Sequence, residues 1–287
     1  MAGAKRATGD VDTDTIDTMT LIDAGQIKLD YERSGDGDEP LLLIMGMSGT
    51  ALMWGEPFLE LLRRDFDVIA YDHRGVGASA VLDGPITIRQ MADDAAALLT
   101  ALELDSAHVM GISMGGMIAQ ELALNHAERI RTLTLGCTYC GGPGSALAAP
   151  EVIQRLGEAM MSGDRDRAIR VGWEANVSAA FAADDAAWTR FRETATERAV
   201  AVAVVMEQMQ AIAAHDTYER LGELGSLPTL VIHGTDDQML PVQNGKLIAS
   251  RIPGSRLEIF DGVGHLFFWE RPERTAELVR ELAAVPA

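Results

Sequence analysis

The sequence predicts an α/β protein, a mostly parallel sheet covered by helices on both faces, and three observations carry that prediction. From Leu21 onward, short β-branched or aliphatic runs alternate with longer helical patterns. The later runs are apolar throughout instead of alternating, the character of parallel strands buried on both sides. The alternation fails once, between Gly141 and Leu224, where nothing resembles a strand.

Residues 27–33, 41–45 and 67–71 read as early strands, and 106–111, 130–136, 227–233 and 256–260 as later ones. Helical spacing of apolar residues marks 51–64, 88–102, 114–125 and 244–250. The interrupting stretch is rich in Ala, Met and charged residues at helical spacing over 151–161, 166–177, 184–195 and 197–214. It predicts a helical cap of about four helices over 141–224, inserted into a core domain made of 19–140 and 225–287. An insertion there would sit over the C-terminal edge of the sheet, where open α/β sheets bind ligands.

At 287 residues and 47% hydrophobic, the chain is long enough to bury a substantial core. A formal charge of -19 argues against a nucleic-acid partner, because a phosphate backbone repels such a surface unless basic residues cluster, and no cluster is found. No segment approaches the roughly 18 consecutive apolar residues a membrane span needs, so no membrane partner and a cytoplasmic location are expected. Residues 1–18 lack the apolar run of a secretory signal and read as a disordered tail. A homodimer is left open. No metal or cofactor motif is read, and no strand is followed by the glycine fingerprint of a dinucleotide site. The pair Cys137 and Cys140 has redox or zinc spacing but no second ligand pair, so it is read as structural.

The chemistry concentrates in three loops. The strand over 106–111 runs into Gly111-Ile112-Ser113-Met114-Gly115, followed by a helical pattern. A serine on a sharp strand-to-helix turn projects above the sheet edge, provided that its neighbours two positions away lack a bulky Cβ. Its hydroxyl needs a base of matched pKa within hydrogen-bond reach. Of six histidines, His73, His108, His126 and His215 lie before the last strands or inside helical patterns. His265 follows the final strand in a glycine-loosened loop that can swing an imidazole over the edge, whereas His233 ends a strand and braces the loop after it. The imidazole needs a carboxylate, and Asp236 and Asp237 both follow the strand over 227–233. The order along the chain is Ser, Asp, His.

Together these segments resemble the α/β-hydrolase superfamily from about Leu21 to Ala284. Asp72-His73-Arg74-Gly75-Val76-Gly77-Ala78-Ser79 is similar to its D-x-R-G-x-G-x-S turn, and 234–241 to its G-x-x-D-x-x-x-P acid loop, which selects Asp237. Residues 264–272 are similar to its G-H-x-x-x-x-E-x-P segment, and Met45-Gly46-Met47 stands where many members carry His-Gly-x. The resemblance implies an eight-stranded sheet, a catalytic triad of Ser113, Asp237 and His265, and an oxyanion hole of the Met47 and Met114 N–H groups. It extends to small-molecule enol-lactonases, polyketide methylesterases, meta-cleavage-product hydrolases and cofactor-free haloperoxidases. The expected function is hydrolysis of a carboxylic ester or lactone of a hydrophobic small molecule, without cofactor. Gly46, Trp54, Trp173, Met209 and Leu266 are the candidate pocket residues. The alternatives are carbon–carbon bond hydrolysis or perhydrolysis on the same triad, or a ligand receptor.

Overall fold

A computed structural model describes residues 19–81 and 84–285; the tail expected over 1–18 lies outside them. The described chain forms one eight-stranded sheet from β1 (Thr20–Asp23), β2 (Lys28–Ser34), β3 (Glu39–Ile44), β4 (Phe66–Tyr71), β5 (Ala107–Ile112), β6 (Ile130–Gly136), β7 (Thr229–Gly234) and β8 (Arg256–Phe260). The strand order is β1-β2-β4-β3-β5-β6-β7-β8. The β1–β2 and β2–β4 pairs are antiparallel, and every later pair is parallel.

Continuous apolar strands arise because successive side chains enter different cores. In β3, Leu42 and Ile44 join one core with Val109 and Leu133, while Leu41 and Leu43 join the other with Met110 and Ile232. Helices α2 (Ile88–Ala101), α3 (Met114–Asn125) and α9 (Gln243–Arg251) cover the first face. Helices α1 (Glu56–Arg63) and α11 (Pro272–Ala283), with the short α10 (Phe267–Glu270), cover the second. Each fully buried Leu or Ile contributes about 1.5–3 kcal/mol of apolar burial. Cys137 and Cys140 are unbridged, and their side chains enter opposite cores.

Two expected helices end differently. The pattern over 51–64 breaks into a 3₁₀ turn at Ala51–Trp54 and then α1, because Gly55 takes φ 75°. Between β6 and β7 lie α4 (Pro150–Met161), α5 (Arg165–Asn176), α6 (Ala179–Ala182), α7 (Asp185–Glu197) and α8 (Val202–Ala213). Residues 198–201, expected to be helical, are not. There Arg198 leaves the helix in an extended conformation and pairs with buried Asp30 and Asp72 at 2.8 and 3.4 Å. These five helices meet the loops that follow β3, β7 and β8, which places them at the C-terminal edge of the sheet. Among the described residues no helix is long and apolar enough to cross a membrane.

Candidate active site

Ser113 stands between β5 and α3 with φ 57° and ψ -123°, a backbone region that costs a non-glycine residue on the order of 1–3 kcal/mol. The surroundings hold it there. Its N–H donates to Gly136 O at 2.9 Å, and its carbonyl accepts the Thr138 hydroxyl at 2.7 Å and the Gly116 N–H at 2.9 Å. Glycine is required on both sides by close approach. A Cβ on Gly111 would lie 2.2 Å from Gly115 O, and one on Gly115 1.9 Å from Ile44 O.

The loop after β3 presses against this turn, since a Cβ on Gly46 would lie 3.1 Å from Ser113 Cβ and 3.7 Å from its Oγ. The Met47 and Met114 N–H groups make no hydrogen bond to any described residue, and Met114 opens α3, where helix N–H groups lack intrahelical partners. Several side chains shape the loop. His73 Nε2 bonds Met45 O at 2.8 Å, and Asp72 Oδ1 accepts the Ala51 N–H at 2.6 Å. Ser48 takes φ 57°, and its N–H donates to Gln208 Oε1 of α8 at 2.9 Å. The resembling turn supports Asp72 in its place: a Cβ on Gly77 would lie 1.9 Å from Asp72 Oδ2, and Ser79 Oγ donates to Asp72 O.

On the other side of Ser113, Asp237 Oδ2 lies 2.7 Å from His265 Nδ1. Asp237 Oδ1 accepts the N–H groups of Met239 and Leu240 at 2.8 and 2.9 Å. His233 Nε2 bonds Leu240 O at 2.7 Å and approaches Asp237 Oδ2 at 3.2 Å, so it braces the loop as its position suggested. Burial pushes the Asp237 carboxyl up, but His265 and His233 outweigh it and hold the group well below the usual carboxylate range. Asp236 is exposed. Ser113 Oγ and His265 Nε2 carry no hydrogen bond among the described residues, so the contact that proton transfer requires is not formed here; such bonds often tighten only with substrate.

The His265 loop differs from the swinging loop expected of its glycines: Gly262 turns the chain at φ 65°, while Gly264 and the facing Gly234 serve close packing. A Cβ on Gly264 would lie 2.6 Å from the Val177 backbone, and one on Gly234 2.2 Å from Val263 O. Glu270, buried, accepts Gly264 N–H at 2.8 Å and Ser178 N–H at 2.9 Å on Oε1, and the Ser178 hydroxyl at 2.5 Å on Oε2. Leu266 N–H donates to Asn176 O at 2.8 Å. His265 therefore sits in a loop pinned between the core and the inserted helices.

Of the candidate pocket residues, Gly46 lies against Ser113, and Leu266 is buried where its loop meets the inserted helices at Asn176. Two are corrected. Trp54 is fully buried, with its ring centroid 4.8 Å from that of Phe268; Trp173 is fully buried, 4.7 Å from Phe191, and its Nε1 donates to Ala182 O. Met209 is 43% exposed, off the buried stripe of α8. Thr138, Glu270 and Gln208 were not among the expected site residues.

Cys137, His233 and Asp237 bring potential ligand atoms within 4.8 Å of one another. Burial, reinforced by Asp237, pushes the Cys137 thiol well up, and the His233 and Asp237 atoms facing it are engaged in the hydrogen bonds above. The set fits a hydrogen-bonded brace better than a cation.

The chain belongs to the alpha/beta hydrolase fold family, whose model matches residues 39–272. Among its relatives is a protein of Azorhizobium caulinodans whose name gives it, provisionally, as the carbamate hydrolase RutD: 31% identical, covering 91% of this chain and 97% of that one. 3-Oxoadipate enol-lactonase 2 of Acinetobacter baylyi is 28% identical over 90% and 92% of the two chains. The solved esterase RhEst1 of a Rhodococcus species superposes with a TM-score of 0.79 at 25% identity, covering 94% of this chain and 100% of that one.

Proposed function

We propose that the protein is a serine hydrolase that cleaves a carboxylic ester or lactone of a hydrophobic small molecule through an acyl-enzyme. The observation that carries this reading is the buried 2.7 Å pairing of Asp237 with His265 at the sheet edge where strained Ser113 stands. His265 removes the Ser113 proton as Oγ attacks the carbonyl carbon. The resulting oxyanion accepts from the Met47 and Met114 N–H groups, assisted by the positive end of α3. His265 then passes the proton to the departing alkoxide, and water repeats the sequence on the acyl-enzyme. Asp237 holds the tautomer with Nδ1 protonated and stabilises the imidazolium. The names of the relatives, an enol-lactonase and an esterase, agree with this class.

A second reading, carbamate cleavage by the same attack on a carbonyl, is favoured by the relative named as a carbamate hydrolase. Hydrolysis of a chain-length series of p-nitrophenyl esters, with a carbamate beside them, tests both. Turnover of the esters that disappears in Ser113→Ala supports the first reading. Turnover of the carbamate alone moves the assignment to the second, and undiminished turnover by Ser113→Ala overturns both.

A further inference from the structure

Helix α8 turns Val204, Val205, Gln208 and Ala211 inward, one stripe at helical spacing. Three of the four are apolar, and Val204 and Ala211 enter the same core as Met114, with Met47 packed against it. Gln208 is the exception. Its side chain is fully buried in the middle of an apolar stripe, a placement that costs free energy unless both ends of the amide are bonded. One end is: Oε1 accepts the Ser48 N–H at 2.9 Å. That bond also decides which end of the amide is which, because only the oxygen can face an N–H donor. The other end, Nε2, meets no hydrogen-bond partner. Ser48 is one peptide unit from Met47, whose N–H is itself unengaged. A buried, unpaired amide donor is thus held on the loop that adjoins Ser113, oriented by a bond to that same loop.

We infer that Gln208 is a specificity residue whose Nε2 donates to an acceptor oxygen in the acyl part of the substrate, close to the reacting carbonyl. The acyl group preferred by this site carries an ether, hydroxyl or oxo oxygen on an otherwise apolar chain. This rests on the serine-hydrolase reading. It separates substrates in a way that the apolar lining cannot, because a plain alkyl chain leaves the Gln208 donor unpaired while an oxygen at the right position satisfies it.

The test uses two esters of matched size, p-nitrophenyl methoxyacetate and p-nitrophenyl butanoate, which differ by an oxygen for a methylene. The readout is the ratio of their kcat/KM values, compared among wild type, Gln208→Leu and Gln208→Glu. Comparing ratios removes the intrinsic reactivity of each ester. Gln208→Glu keeps an acceptor for the Ser48 N–H, and at alkaline pH its carboxylate has no proton to donate. The preference for the oxygen-bearing ester is expected to fall about tenfold in both variants. An unchanged ratio in both overturns the inference, as does a fall confined to Gln208→Leu, which would assign the effect to the Ser48 bond. Equal losses on both esters point to a donor for the oxyanion and overturn it too. If wild type turns over neither ester, the serine-hydrolase reading fails and this inference falls with it.

Discussion

The two sides of Ser113 are built on opposite principles. On the proposed acid–base side, Asp237 pairs with His265 and accepts two backbone N–H groups, with His233 close by, and Glu270 accepts from three groups, all inside the fold. On the oxyanion side, the N–H groups of Met47 and Met114 and the amide of Gln208 are donors without partners. A side that must carry charge through the reaction is satisfied in advance, since an unpaired buried carboxylate is costly. In the proposed mechanism the other side is completed by the oxygens of the substrate.

The contrast predicts different penalties. Removing the nucleophile or base, in Ser113→Ala or His265→Ala, should lower kcat by roughly four to six orders of magnitude, and Asp237→Asn by somewhat less; steady-state kinetics on one ester ranks them. A residual rate in Asp237→Asn close to wild type would remove Asp237 from the mechanism. Glu270→Gln leaves one acceptor oxygen for the Gly264 and Ser178 N–H groups, removes the charge and puts an N–H₂ against the Ser178 hydroxyl. It should lower kcat by roughly ten- to a hundredfold together with the melting temperature, because lost bonds to a charged group cost about 1.5–3 kcal/mol each. An unchanged kcat with a lowered melting temperature would confine Glu270 to stability. On the open side, Gly46→Ala places a methyl 3.1 Å from Ser113 Cβ. It should reduce kcat/KM roughly tenfold with little effect on melting, since the methyl intrudes on the reacting carbonyl more than on the core.

The smallest effect is one of pH. Burial, opposed in part by Asp216, lowers the pKa of His215 from 6.5 to about 4. Between those values the unfolded chain takes up a proton that the native site refuses, so stability falls as pH drops from 6.5 towards 4 and this contribution then levels off. Burial lowers the pKa of His73 too, and it acts with the same sign. Asp237 acts with the same sign in a lower window: its carboxyl lies below the ordinary range, so its contribution is complete above about pH 4 and is lost only in stronger acid. Thermal melts across this range should show a shallower acid slope in His215→Gln than in wild type; equal slopes would assign the loss to other groups.

The central strands were legible because burial on both faces leaves an uninterrupted apolar run, as in Leu41 to Ile44. β1 was not, since a four-residue exposed edge strand carries no such run. The proposed Ser113 and His265 stand out in the sequence by the glycines of their loops, and Asp237 by the resemblance of 234–241 to an acid loop. Glu270 lay within a quoted motif, but its role did not, because its partners Gly264 and Ser178 belong to different parts of the fold. Gln208 left one trace, a polar residue inside the apolar stripe Val204, Val205, Ala211. At Trp54 and Trp173 the sequence shows that an indole is apolar, and not which aromatic rings will enclose it.

Glu270 also sets the mechanics of the inserted helices. The same carboxylate grips Ser178, at the start of α6, and Gly264, beside the base. Any opening of the insertion that pulled Ser178 away would dislodge His265 with it. Motion that admits substrate while keeping His265 in register would pivot about this junction, with the travel farther along the insertion, as at α8, which meets the loop beside Ser113 through Gln208.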